Sequence, residues 1–209
     1  MKNFYIRLLS SFILGPFVIF AIYYGSIYFL LLNITVLLLG IYEIIKNVKQ
    51  KILIFILLAL IIIFIFSFYL ARGTTYEDLI IFFWILSIVW LSDIGGYLIG
   101  KLFGGPKLSK LSPNKTIAGF YGSIFFSQFS FLILMLLNNF SFNLKYIFIQ
   151  IILSMISVMG DIFFSYIKRI NKIKDYSNLI PGHGGVLDRI DGMIFVFIFF
   201  YIINNFYGI

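Results

Sequence analysis

The chain reads as long apolar runs cut by short polar interruptions. Seven stretches are long enough to cross a membrane or nearly so, at roughly residues 8–24, 26–45, 52–71, 79–100, 117–137, 144–167 and 187–206. A hydrocarbon core of about 30 Å asks for about 20 apolar helical residues. In lipid every backbone polar group must be satisfied internally, so only helices and closed barrels span. The runs are continuous and do not alternate, which excludes the two-residue period of a barrel strand. The pattern therefore predicts an all-α integral membrane protein with about seven transmembrane helices, in one polytopic membrane domain over 1–209. Only Tyr24-Gly25-Ser26 separates the first two runs, which predicts a tight hairpin. The first run follows Lys2 and Arg7 as a signal sequence would, but it lacks a small-residue cleavage site, so the segment is expected to be retained.

Composition narrows the chemistry. The chain is 62% hydrophobic and 11% charged, with a mean hydropathy of +1.07. It has no cysteine, which excludes disulfides, thiolate nucleophiles and sulfur-ligated metals. A single histidine excludes a multi-histidine site, so any metal would be held mainly by oxygen, as Mg²⁺ is. The net charge of +8 does not point to nucleic acid, because the basic residues sit in short loops between apolar runs.

Those loops orient the chain. With the N-terminus in the cytoplasm, the inner segments hold Lys2, Arg7, Lys46, Lys49, Lys51, Lys101, Lys107, Lys110, Lys115, Lys168, Arg169, Lys172, Lys174 and Arg189. The outer ones hold only Arg72 and Lys145, a split of fourteen to two. Arg72, on the outer side, is expected to matter little. Asp93 then lies about 12 Å of helix from the inner end of its run, and Asp161 about 10 Å, at 1.5 Å per residue. Asp188 and Asp191 fall in the first turns of the last run, so all four carboxylates lean toward one membrane face. A charge at the bilayer centre costs ~2.5–3.5 kcal/mol or more, so such residues usually face an interior cavity with a partner.

Four segments could carry chemistry. Asp161, Ser165, Lys168 and Lys172 are spaced to share a helix face, with Arg169 beside it. A polar wall, or an Asp paired to its own Lys at a snorkelling helix end, would both fit. In PGHGG (181–185) the glycines allow close backbone approach, and a helix starting near Val186 would offer free N–H groups to an anion. Asp188 and Asp191 follow on one side of that helix, as metal ligands or as acidic residues at a positive helix end. His183 could donate to a phosphate or serve as a hydrogen-bonded structural group. In SPNKT (112–116), Ser112 reads as an N-cap and Pro113 as the first helical residue. Asn114, Lys115 and Thr116 would then form the first turn of an anion-binding helix start, or of an ordinary capped helix. Finally, Asp93, Tyr97 and Lys101 share a face, while Gly96 and Gly100 read as close helix packing. Glu43, near Lys46, reads as interfacial.

The stretch from Ser165 to Asp191, SYIKRINKIKDYSNLIPGHGGVLDRID, resembles the signature of the phosphatidate cytidylyltransferases, or CDP-diacylglycerol synthases. Gly160-Asp161, SPNKT and DIGGYLIGKLFG from Asp93 are also similar to that family, so the resemblance covers about the last 120 residues. Departures are Phe164 for a usual Glu, Asn114 and Ala118 for Lys and Glu, and Gly192 for a frequent Ser. The resemblance implies N-terminal spans in 1–78 and a catalytic part over about 79–209. It implies the reaction of CTP with phosphatidate to give CDP-diacylglycerol and pyrophosphate, in the cytoplasmic (inner) membrane with the site facing the cytoplasm. It implies Mg²⁺, with a second cation such as K⁺ left open. It assigns Asp161 and Asp188 as metal ligands with Asp191 close by, and Lys168, Arg169 and Arg189 to the phosphates. Ser112, Lys115 and Thr116 would bind CTP or the lipid phosphate; Lys172, His183, Gly184 and Gly185 would line the site, and Asp93 would support it. A homodimer is expected from family behaviour and the GxxxG face. The rivals are an ion-coupled transporter built on Asp93 and Asp161, and another CTP-dependent lipid nucleotidyl- or phosphotransferase.

Overall fold

The computed structural model describes residues 2–109, 112, 115–138 and 143–207. Lys110, Pro113 and Asn114 lie outside the described residues. The described chain is helical: α1 (Lys2–Tyr24), α2 (Ser26–Asn47), α3 (Lys51–Ala71), α4 (Tyr76–Phe103), α5 (Ile117–Ser127), a 3-10 turn (Gln128–Ser130), α6 (Phe131–Asn138), α7 (Leu144–Ile170) and α8 (Leu187–Tyr207). With α5, the 3-10 turn and α6 taken as one rod, these are the seven rods that the apolar runs predict.

Five segments are long and apolar enough to cross a membrane: Ser26–Asn47, Lys51–Ala71, Tyr76–Phe103, Ile117–Leu136 and Leu144–Ile170. The apolar part of α1, Leu9–Tyr24, is shorter, and α8 carries Asp188, Arg189 and Asp191 in its first turns. Large apolar side chains point outward all along the helices, among them Phe12 (77% exposed), Ile52 (76%) and Phe55 (75%). Water would not tolerate such a surface over a whole protein, whereas lipid does. The chain is a multi-pass membrane protein.

The chain divides into two compact units, Met1–Arg72 with Ile167–Ile190, and Gly73–Tyr166 with Asp191–Ile209. In the first, α1 is broken from α2 at Gly25, whose φ of 64° lies in the left-handed region. Arg72 ties this junction, donating to the carbonyls of Ile22 (3.1 Å) and Tyr23 (2.9 Å) at the end of α1. Arg72 thus has a structural part: a helix C-terminus leaves carbonyls without partners, and Arg72 supplies donors for two of them. α2 packs on α3 through Phe29, which meets Phe68 at 5.4 Å and stacks on Tyr69 at 5.9 Å.

In the second unit α4 opens with a reciprocal cap. Thr75 accepts from the Asp78 amide, and Asp78 accepts from the amides of Thr75 and Thr74. The other end of α4 crosses α5 at very short range. A Cβ on Gly95 would run into the carbonyl of Gly122 and the Phe126 side chain, and one on Gly119 into the carbonyl of Gly96. Gly96 and Gly100 therefore serve packing, as the sequence suggests, and their face is covered by α5 within the same chain. Phe82 and Phe197 (ring centroids 5.1 Å apart) and the fully buried Trp84 fill the core of this unit.

Gly95→Ala is expected to destabilise the chain by about 1–3 kcal/mol through overpacking. Gly15→Ala, where a Cβ meets nothing within 4 Å beyond its chain neighbours and only the ring of the following Pro16 crowds it, should cost less. Thermal melting of the two variants in detergent checks the contrast.

Candidate functional site

The first unit organises the segment after α7. That helix ends at Ile170 through Lys172, which sits in the left-handed region at φ 56°. The Ile173 amide returns to the Lys168 carbonyl at 3.0 Å, and the Lys172 amide to that of Arg169 at 3.1 Å. Lys172 is consequently off the face expected to hold Asp161, Ser165 and Lys168, because the helix stops two residues short of it. Further on, Pro181-Gly182-His183 forms a tight turn closed by Ile180 N–H to the Gly184 carbonyl (2.9 Å) and His183 N–H to the Ile180 carbonyl (2.9 Å). Gly182 and Gly184 have φ of 76° and 88°, which only glycine adopts at little cost.

Two carboxylates hold this segment. Asp188, with its side chain only 2% exposed, accepts on Oδ1 from Lys168 Nζ at 2.7 Å. On Oδ2 it accepts from the amides of Tyr176 (2.7 Å) and Gly185 (3.0 Å). Lys168 also lies over the Tyr176 ring, 5.7 Å from its centroid. Glu43 is fully buried and accepts from Ser177 Oγ (2.6 Å) and from the amides of Val186 (2.8 Å) and Leu187 (2.9 Å). Two expectations are corrected here. The N–H groups of Val186 and Leu187, at the start of α8, are not free for an anion, since Glu43 takes them. Nor is Glu43 interfacial: it is the cap of that helix, reached from α2. His183 has both ring nitrogens engaged by α1, Nδ1 with Ser10 Oγ at 2.9 Å and Nε2 with Ser11 Oγ at 3.1 Å. Beside the segment opens a cavity of about 610 Å³, walled by Tyr42, Lys46 and Asn47 of α2 and by residues 173–179. The side chains of Arg169, Lys174 and Arg189 are exposed and make no ion pair among the described residues.

The second unit holds the other carboxylates. Lys115 Nζ bonds Asp161 Oδ2, so Asp161 is paired with a distant lysine and not with one of its own helix. Lys115 itself lies outside any helix. Lys107 and Thr116 form an antiparallel bridge, with Leu108 N–H to the Lys115 carbonyl (2.8 Å) and Ile117 N–H to the Pro106 carbonyl (3.0 Å). The helix begins only at Ile117, and its N-cap is Thr116, whose Oγ1 accepts from the Gly119 amide at 3.0 Å. Ser112 is therefore not the N-cap; its carbonyl accepts the Lys115 amide at 3.0 Å. Asp93, Tyr97 and Lys101 do share an exposed face of α4, Lys101 Nζ lying 5.6 Å from the Tyr97 ring centroid. Asp191 and Gly192 belong to this unit, and a Cβ on Gly192 would stand 2.8 Å from Asp161 Oδ1. Of the expected site residues, the structure thus joins Lys168 to Asp188 in one unit, and Lys115 to Asp161 in the other.

Glu43 is the residue that sequence reasoning missed. The only local sign was a lone acidic residue inside an apolar run three positions before a lysine.

A family model described as the cytidylyltransferase family matches residues 46–207. The chain is 43% identical over 111 residues to the phosphatidate cytidylyltransferase of Staphylococcus saprophyticus, covering 52% of this chain and 43% of that protein. The protein of the same name from Staphylococcus aureus (strain COL) matches with the same figures. That of Staphylococcus epidermidis is 42% identical over 111 residues. The matched stretch spans less than half the length of these curated relatives.

With Glu43→Ala, three donors lose their acceptor inside the protein, at about 1–3 kcal/mol each. The segment 176–187 should then exchange its amide hydrogens at least tenfold faster, read by hydrogen-exchange mass spectrometry. Glu43→Gln, which keeps an oxygen acceptor, should show a smaller change.

Proposed function

The chain belongs to the cytidylyltransferase family, and from that membership we propose that it transfers the cytidylyl group of CTP to phosphatidate, giving CDP-diacylglycerol and pyrophosphate. The observation that carries the reading is the family match over residues 46–207, which contains both lysine–carboxylate pairs, Lys115–Asp161 and Lys168–Asp188.

The chemistry asks little covalent work of the protein. An oxygen of the lipid phosphate attacks the α-phosphorus of CTP, the new P–O bond forms, and the bond to the bridging β-phosphate oxygen breaks as pyrophosphate leaves. No Ser, Cys or His nucleophile is needed. The side chains align two anions and offset charge that builds on the phosphoryl oxygens. Arg169, Lys174 and Arg189, exposed and without ion-pair partners among the described residues, are suited to the phosphates. The cavity walled by Lys46 and residues 173–179 is of a size that suits a nucleotide. Lys115 and Thr116, at the bridged start of α5, would hold a further phosphate oxygen, and Asp93 would face the same side.

The donor set fits a hard cation in the second unit. Asp161 has Oδ1 without a hydrogen-bond donor among the described residues, and Gly192 keeps side-chain atoms away from it. Asp161 with Asp191 would therefore hold Mg²⁺, which supplies charge neutralisation for the phosphates when bound. A second cation such as K⁺ belongs to the same proposal. In the first unit Asp188 keeps a lone pair on Oδ1 beside Lys168, while Tyr176 and Gly185 take Oδ2.

The remaining reading concerns placement: seven spans, the N-terminus in the cytoplasm, and a site that faces CTP from the inner face of the cytoplasmic membrane. The fourteen-to-two split of basic residues supports it. Family membership favours the transferase over the transporter.

The test is a detergent assay with labelled CTP, phosphatidate and Mg²⁺. Asp161→Asn and Asp188→Asn should each lower CDP-diacylglycerol formation by about 100-fold or more, as loss of a transition-state contact does. Glu77→Gln, an exposed change at the far end of α4, should leave the rate near wild type. Equal product from wild type and both aspartate variants would overturn the reading.

A further inference from the structure

Three buried serines in the helices of the second unit share a habit. Ser87, Ser127 and Ser154 each donate back to the carbonyl three residues earlier, at 2.6, 2.8 and 2.9 Å. Ser157 does not. Its residue is 0% exposed, and its Oγ has no hydrogen-bond partner among the described residues. A buried hydroxyl left without a partner is costly and calls for a physical reason.

The surroundings supply one. Ser157 stands one turn before Asp161 on α7, so both side chains fall on one helix face. Both face Gly192. The three atoms nearest to a Cβ built on Gly192 are all oxygens: Ser157 Oγ at 2.7 Å, Asp161 Oδ1 at 2.8 Å and the Ser157 carbonyl at 3.3 Å. Asp161 spends its other oxygen, Oδ2, on Lys115. Two side-chain oxygens without donors among the described residues thus converge where the facing helix has no side chain. An uncharged hydroxyl beside a carboxylate oxygen is a donor set for a hard cation, which takes oxygen ligands and keeps some of its water.

We propose that Ser157 is a cation-binding residue: its Oγ and Asp161 Oδ1, which converge on the backbone of Gly192, form an oxygen pair that takes the divalent cation directly or through one of that cation's waters. This rests on the reading of Asp161 as a cation ligand and adds to it a residue from outside the motifs that suggested that reading.

Mn²⁺ is the probe, titrated into the full purified chain in detergent and followed by electron paramagnetic resonance, with neither CTP nor lipid present. Wild type should bind Mn²⁺, and Asp161→Asn should lose that binding. Ser157→Ala should bind about tenfold more weakly, the lower end of what loss of a supporting group costs a metal site. Its melting temperature in EDTA should equal or exceed that of wild type, because the change removes a hydroxyl that had no partner. Wild-type affinity in Ser157→Ala, with binding lost in Asp161→Asn, overturns the role of Ser157 and leaves that of Asp161 intact. No Mn²⁺ binding by wild type, or full binding by Asp161→Asn, overturns the reading of Asp161 and this inference with it. Neither result depends on the activity assay, so the transferase reading stands or falls separately.

Discussion

A carboxylate withdrawn from water has to be met by donors, or its burial costs several kcal/mol. In the first unit two such carboxylates, Glu43 and Asp188, between them accept from five groups of the segment 176–187 and from Lys168. Four of the five are backbone amides and the fifth is the Ser177 hydroxyl, donors that the loop would otherwise leave unmet inside the protein. The segment therefore has a defined shape without belonging to any regular element. Each carboxylate is stable where it is because the loop folds around it, and the loop folds because the carboxylates are there.

The basic residues divide along the same line. Lys168 and Lys115 are paired to Asp188 and Asp161, one pair in each unit. Arg169, Lys174 and Arg189 are exposed and unpaired among the described residues. Exposed cations near a membrane face are held loosely and screened by salt, so as structural bridges they would contribute little. As counter-charges for a triphosphate and a lipid phosphate they lose nothing by having no protein partner. The arrangement suits a reaction in which both substrates bring the anions and the protein brings the cations.

What could be read from the sequence follows from which forces are local. Apolar periodicity located every helical rod to within a few residues, because the demand of lipid on the backbone acts on each run by itself. The close packing of Gly96 and Gly100 and the turn at PGHGG were also legible, since both depend on residue types at short spacing. The errors came from partners far away in the chain. Ser112-Pro113 is as good a helix start as Thr116 on local grounds. Pairing of 115–117 with 106–108 keeps that stretch extended and moves the start to Ile117. Glu43 meets Ser177, Val186 and Leu187 across 134 to 144 residues, a distance no spacing rule bridges. Lys172 was placed on a helix face that ends before it, because left-handed termination by a lysine has no strong local signature.

The glycines of PGHGG show how the two levels meet. Gly182 and Gly184 are there for the sign of φ, which the turn sets by itself. Gly185 answers to something outside the motif: a Cβ there would come within 2.5–2.8 Å of the Glu43 carboxyl group. Its lack of a side chain lets α2 present an acceptor to the amides at the start of α8. The last glycine of the motif and the acidic residue in α2 are therefore one constraint written in two places. A side chain at 185 would expel the carboxylate from its donors, and loss of the carboxylate would leave those donors bare. The strongest polar motif in the chain thus owes part of its form to holding the loop together, while the exposed Arg169, Lys174 and Arg189 make no ion pair among the described residues.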